Sequence, residues 1–181
     1  VALGAALLAS AAVPATATAP AWTVDAAASS LSFSVKAGAD TVRGRFPDFT
    51  ARITFDPAAP ETVDIDISIG IAALTTGTPD IDAALKMPDW FDIARHPTAH
   101  LRATRAERTA TGYILHGTLT LRGTSVPVAL PFALAIAGRR AEATGELTLD
   151  RLQFGIGSKS PIPGLFIASD VRVTLKLVAE R

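Results

Sequence analysis

The sequence predicts an all-β protein of eight antiparallel strands, either closed into a barrel or folded as a sandwich, with a single short helix. Three observations predict it. Apolar and polar residues alternate strictly over most of the chain, which is the period of half-buried strands. Short turn signals, at Asp56-Pro57, Arg122-Gly123-Thr124 and Gly138-Arg139, join several of these stretches and favour antiparallel neighbours. One stretch alone, residues 76–100, carries helical spacing instead.

The strands follow in order. In "SLSFSVK", Leu31, Phe33 and Val35 share one face while Ser30, Ser32, Ser34 and Lys36 take the other. "FTARITFD" sets Phe49, Ala51, Ile53 and Phe55 against Thr50, Arg52, Thr54 and Asp56. "VDIDISI" alternates in the same way, and the pattern recurs in "TAHLRAT", "GYILHGTLTLR", "VPVALPFALAI", "RAEATGELTLDR" and "DVRVTLKLV". Each strand has one apolar and one wet face. Closure would remove the exposed edges of such a sheet. The outward faces carry Lys36, Arg52, Asp66, Arg102, Glu146, Arg172 and Lys176, charges that could not face lipid, so the apolar faces point inward.

The inward residues are uneven in size. Phe33, Phe49, Leu119 and Phe132 alternate with Ala51, Ala99, Ala103, Gly117, Ala141, Ala143 and Gly145. An eight-stranded barrel is just wide enough to be filled by side chains or to hold one small ligand. The small residues either leave space or complement large ones across a packed core.

Thr78 stands at a helix N-cap position, Pro79 at the first helical position, and Asp80 and Asp82 in the positively polarised first turn. Ile81, Ala84 and Leu85 give a short apolar stripe, Pro88 interrupts it, and Pro97 ends the segment. The expected helical region, about 79–94, lies across a barrel mouth with Ile81, Leu85, Trp90 and Phe91 facing in. It is either a plug that completes the core or a lid over a ligand.

Composition excludes several classes of function. The 181 residues suit one domain, and 17 Lys+Arg against 17 Asp+Glu leave no electrostatic case for nucleic acid. The absence of cysteine removes disulfides, thiolate metal sites and a lipid-anchored processing site. Residues 1–21 are uncharged and read as a signal peptide or linker remnant. Their apolar run has the length of a leader's hydrophobic region, and Ala15-Thr16-Ala17 and Ala19-Pro20-Ala21 fit its cleavage pattern. The barrel domain is expected over 22–181, in the periplasm.

Catalytic and metal constellations are weak. His96 and His100 are four apart, but Pro97 separates them, and His100 and His116 fall on polar faces. "GIGSKS" lacks both the spacing and the following helix of a phosphate loop. There is no G-x-S-x-G elbow, and Asp64/Asp66 and Asp80/Asp82 lie in wet or capping positions. No enzyme activity, cofactor or metal is expected.

Four blocks carry a family resemblance: "FSVK…TVRGRFPDFTARITFDP", "LTTGTPDIDAALKMPDWFDIARHPTAHLRAT", "GYILHGTLTLRGTSVPVALPF" and "LDRLQFGIG". Together they resemble the YceI-like family, in order, over nearly all of residues 22–179. The resemblance implies a lipocalin-like antiparallel barrel, usually exported, whose long apolar interior holds a polyisoprenoid or similar amphiphile. Family members also occur beside membrane b-type cytochromes, which makes an isoprenoid quinone a second candidate ligand and such a cytochrome a candidate partner. Two departures remove polar groups near a headgroup. Ala37-Gly38-Ala39-Asp40 replace a His-containing loop, and Ile81 stands where the family often has Arg.

The expected function is therefore non-catalytic binding or carriage of a long-chain amphiphile, by a monomer or homodimer. An interaction module with a dry interior is the alternative, and an enzyme acting on such a lipid a more distant one. The expected ligand-binding residues are Phe33, Val35, Phe49, Leu101, Leu119 and Phe132 on strands, and Leu85, Trp90 and Phe91 in the helical region. Phe154, Leu165 and Phe166 are expected at the entrance, from the apolar loop "LQFGIGSKSPIPGLFIASD", with Lys159 near an anionic headgroup.

Overall fold

The computed structural model describes residues 19–159 and 166–181. Ten strands form one antiparallel sheet: β1 (Ala21–Val24), β2 (Ser30–Ala37), β3 (Asp40–Arg45), β4 (Phe49–Thr54), β5 (Asp64–Gly70), β6 (Thr98–Arg108), β7 (Tyr113–Leu121), β8 (Thr124–Ala137), β9 (Arg140–Asp150) and β10 (Ile167–Glu180). Among the described residues the single α-helix, α1, is Pro79–Lys86. Neighbours run β1-β4-β5-β6-β7-β8-β9-β10-β2-β3, and β1 also pairs with β10, closing the ring.

Ten strands make eight staves. The 14-residue β10 pairs with β2 along Ile167–Lys176 and with β1 at Ala179–Glu180, so β1 and β2 are consecutive pieces of one stave. β3 pairs with β2 and β4 with β1, making a second broken stave interrupted at Phe46–Asp48. All eight strands of the alternating pattern are present. β1 and β3 were not legible in it, because "AWTV" and "DTVRGR" are short and mixed in polarity.

The inward faces sort by period two, as the register requires. Ile67 lies opposite Leu101 across β5–β6, Leu101 opposite Leu119 across β6–β7, and Leu115 opposite Leu130 across β7–β8. Outward residues form cross-strand ion pairs, including Arg172–Glu146, Lys176–Glu142 and Arg52–Asp66. The outer wall is thus charged. Among the described residues no helix is long and apolar enough to cross a membrane.

The small inward residues play two different parts. Ala103 is 1 % exposed, and a Cβ built at Gly117 would sit 2.7 Å from the Arg102 carbonyl and 2.9 Å from the Ala103 Cβ. On β6 and β7, small residues let the wall pack closely. On β9, Ala141 and Ala143 instead border an open cavity, while Gly145 borders it and also lets β8 close in, since a Cβ there would sit 2.9 Å from the Pro131 carbonyl. Close packing on β6 and β7 and open space beside β9 are thus separated by one stave, β8.

The barrel has two unlike ends. At the lower end lie the turns after β6 and β8, the β4–β5 connection and the C-terminus. The upper end carries the β2–β3 hairpin, the helical segment between β5 and β6, the β7–β8 turn and the long β9–β10 connection. Pro20 already belongs to the lower end, where its carbonyl accepts a hydrogen bond from the Phe55 N–H.

Candidate functional site

The barrel interior holds two apolar cavities stacked along its length. The upper one, about 160 Å³, lies under the helical segment and the β9–β10 connection. The lower one is about 80 Å³ and reaches Trp22, Phe55 and Phe132 at the other end. Five residues border both: Ile67, Leu101, Leu130, Leu175 and Leu177. They form an aliphatic waist. Dry, apolar cavities of about 150 Å³ accept hydrocarbon guests, so the upper chamber suits apolar matter rather than water.

The upper roof is built from two segments stitched together. α1 is followed by turns that bring Trp90 and Phe91 to the cavity, with Leu85 from the helix itself. Beneath them Ile71 and Leu74 anchor the chain, Leu74 at 1 % exposure. Phe91 meets Phe46 edge-on at 6.3 Å, and Phe46 meets Phe33 at 5.2 Å. The second segment is a 3-10 turn, Arg151–Phe154, whose Phe154 is 2 % exposed against Leu119 and Ile156. The Gly157 N–H donates to the Asp89 carbonyl at 2.7 Å, and Arg122 Nη2 donates to the Pro88 carbonyl at 2.7 Å.

The helix start differs from the expected cap. Thr78 occupies the N-cap position, but its side chain makes no capping bond. Asp82 reaches back instead. It accepts from the Thr76 N–H at 2.6 Å, the Thr76 hydroxyl at 2.6 Å and the Thr75 hydroxyl at 2.8 Å. These donors, Thr76 first, hold its carboxyl below the usual carboxylate range. Thr75 is in turn bridged to Arg45 of β3, so Asp82 ties the helix to the barrel wall.

Among the described residues Arg151 is the one charged residue bordering either cavity. Its Nε, Nη1 and Nη2 donate to the carbonyls of Ala168, Ile156 and Ile167, at 2.9, 2.6 and 2.9 Å. The guanidinium lies 5.7 Å from the Trp90 ring centroid. Burial pulls its pKa down, partly offset by Asp150. Its fork thus ties the start of the β9–β10 connection to its end.

The lower end is closed by interlocked rings. Phe55 meets Tyr113 edge-on at 5.3 Å and Phe132 at 6.0 Å, and Tyr113 stacks on Phe132 at 5.3 Å. The Trp22 indole N–H donates to the Phe55 carbonyl at 2.9 Å. Arg108 and Arg181 lie over the Tyr113 and Trp22 rings.

Phe33, Val35, Phe49, Leu85, Trp90, Phe91, Leu119 and Phe154 border the upper cavity, Leu101 borders both, and Phe132 borders the lower one. Leu165 lies outside the described residues. Phe166 is 75 % exposed, and Lys159 is exposed on the surface; neither borders a cavity. Arg151 was visible in "LDRLQFGIG" yet carried no signal of its own, since alternation places an Arg after Asp150 without strain. Alternation places Phe55 on the inward face, but nothing in the spacing of Trp22 and Phe55 links them to a common floor.

Polar groups cluster elsewhere. Ser68 Oγ lies 3.1 Å from His100 Nδ1 and His116 Nε2 lies 2.9 Å from Glu107, both on the exposed face. That face also carries Asp64, whose carboxyl the adjoining Arg102 guanidinium holds low. Among the described residues no three His, Asp or Glu side chains converge as metal ligands.

The fold and its interior define a class: a closed antiparallel barrel enclosing a segmented apolar lumen. Within that class the chain belongs to the YceI-like family, whose domain matches residues 22–179. A UPF0312 protein of Photorhabdus laumondii is 32 % identical over 135 residues, covering 69 % of this chain and 70 % of that protein. The Pseudomonas aeruginosa UPF0312 protein is 29 % identical over 62 % of each chain. Among solved structures, Burkholderia cenocepacia BcnA superposes with a TM-score of 0.79 at 26 % identity, over 86 % of this chain and 98 % of that one. A polyisoprenoid binding domain from Saccharophagus degradans shares the fold, with a TM-score of 0.66 at 18 % identity over 88 % of this chain and 97 % of its own.

Proposed function

We propose that this protein binds and carries, without catalysis, an amphiphile with a long apolar chain in the periplasm, a polyisoprenoid lipid or an isoprenoid quinone. The observation that carries this reading is the lumen: two stacked chambers bordered by aliphatic and aromatic side chains. Burial of apolar surface releases about 25 cal/mol per Å², so several hundred Å² of prenyl chain gives a gross gain of about 10 kcal/mol. Lost chain and rigid-body freedom takes back a large part of it. The polyisoprenoid-binding domain of the same fold and the leader-like composition of residues 1–21 support the ligand class and the compartment respectively.

Native mass spectrometry on protein recovered from the periplasmic fraction of its host tests both. A reproducible added mass, extractable into organic solvent and matching a prenyl lipid or quinone, is the expected result. The bare chain mass, together with no uptake of added prenyl lipids, would favour a dry barrel that serves as an interaction module.

A further inference from the structure

The waist divides the lumen unequally, and each chamber holds one of the chain's two tryptophans. Trp90 borders the upper cavity and Trp22 the lower. We propose that the barrel gauges chain length in two stages. A short apolar chain is held in the upper chamber alone, and a longer one passes the waist to reach the aromatic floor. The inference rests on the carrier reading and adds the chain length the protein selects.

Four observations carry it. The five waist residues are Ile or Leu, and Leu101, Leu175 and Ile67 come from three different strands, so their side chains can swing between rotamers without breaking a polar contact. Beyond the waist β9 presents Ala141 and Ala143 to the lower chamber, small side chains that keep it open. The floor is closed by the ring cluster and by the bond from Trp22 to the Phe55 carbonyl, so a chain cannot run through. Entry is from above, because the larger chamber lies there, directly under Leu85, Trp90 and Phe91 of the helical segment and Phe154 of the 3-10 turn. Passing the waist costs side-chain rearrangement first and returns burial only afterwards, so affinity rises with chain length in two steps.

The test uses two single-tryptophan proteins, Trp22→Phe and Trp90→Phe, titrated with geraniol, farnesol, geranylgeraniol and solanesol while intrinsic fluorescence is read. The shorter alcohols should perturb Trp90 alone, and the longer ones Trp22 as well. Affinity should rise roughly tenfold or more for each added isoprene unit that is buried. Ala143→Phe, which fills the lower chamber, should remove both the Trp22 response and the affinity gain of the longest alcohols. Ala143→Leu, a smaller insertion, carries the same expectation if the Phe variant does not fold. A length-independent response from both tryptophans, or a Trp22 response that precedes Trp90, overturns the gauge alone. No response to any alcohol overturns the carrier reading and the gauge together.

Discussion

Replacing Phe154 by alanine asks whether the roof of the upper chamber is anchored by one buried ring. Phe154 is 2 % exposed and packs against Leu119 and Ile156, but one side of the ring borders an existing cavity of about 160 Å³. A fully enclosed Phe→Ala change costs about 3–5 kcal/mol. Here part of the ring's surroundings is already empty, so the loss belongs at the lower end, about 3 kcal/mol. For a domain of this size that lowers Tm by about 6–12 °C. The assay is thermal unfolding followed by circular dichroism, with and without a saturating prenyl alcohol. The vacated space adjoins the chamber, so the ligand should raise Tm more in the variant than in the parent. A fall in Tm under about 2 °C would mean that the ring anchors nothing. Equal ligand shifts in the two proteins would mean that the ligand does not occupy the space beneath it.

Three further outcomes follow from the roof. The Asp82 carboxyl is held below its ordinary value of 3.8, so its stabilisation is complete above that value and disappears as pH falls through the lower folded one. Asp82→Asn should therefore be less stable than the parent at neutral pH, with the gap closing in acid; a gap constant with pH in denaturant titrations would refute the assignment. Arg151→Lys should lower Tm nearly as much as Arg151→Met, because one ammonium cannot span the three carbonyls the planar fork meets. Full recovery of Tm by lysine would show that charge alone suffices. Gly157 has φ +64°, and a Cβ there would lie 3.0 Å from the Trp90 ring and 2.8 Å from Arg151 Nη1. Gly157→Ala should cost at least about 1 kcal/mol and shift Trp90 emission; unchanged emission would argue that the two roof segments are not locked together.

Much of the barrel was legible because alternation is a local property. Phe33, Phe49 and Leu119 face inward for the same reason that Lys36, Arg52 and Arg102 face out, and each is read from its immediate neighbours. The broken staves were not legible, because β1 and β2 become one stave only through a shared partner 130 or more residues away, on β10. Asp82 was read as a capping group, which it is, but for the preceding loop; the reach of a side chain back to Thr75 and Thr76 depends on a turn that spacing does not encode. Arg151 escaped notice for the same reason. Its three acceptors, Ile156, Ile167 and Ala168, come together only once the connection has folded over the barrel end.

The waist is the furthest from a sequence signal. Ile67, Leu101, Leu130, Leu175 and Leu177 are ordinary inward residues, no different in kind from Ile65, Leu115 or Leu147 on β5, β7 and β9. What sets them apart is height. Strand stagger in a closed barrel brings them to one level, and that level follows from the register of every pair around the ring. Ala143 and Gly145 of β9 pair with Leu177 and Leu175 of β10 and border the lower chamber alone, so the register that brings these leucines to the waist sets small residues beside them. A one-residue slip in β9 would turn Ala141, Ala143 and Gly145 outward and bring Glu142, Thr144 and Glu146 into the lumen, placing carboxylates in an apolar cavity. The cross-strand pairs Arg172–Glu146 and Lys176–Glu142 hold those carboxylates on the outside. Surface charge on β9 and β10, weak as each exposed pair is, therefore acts chiefly against the misregistered barrel, and through it sets the shape of the chamber that a long chain would enter.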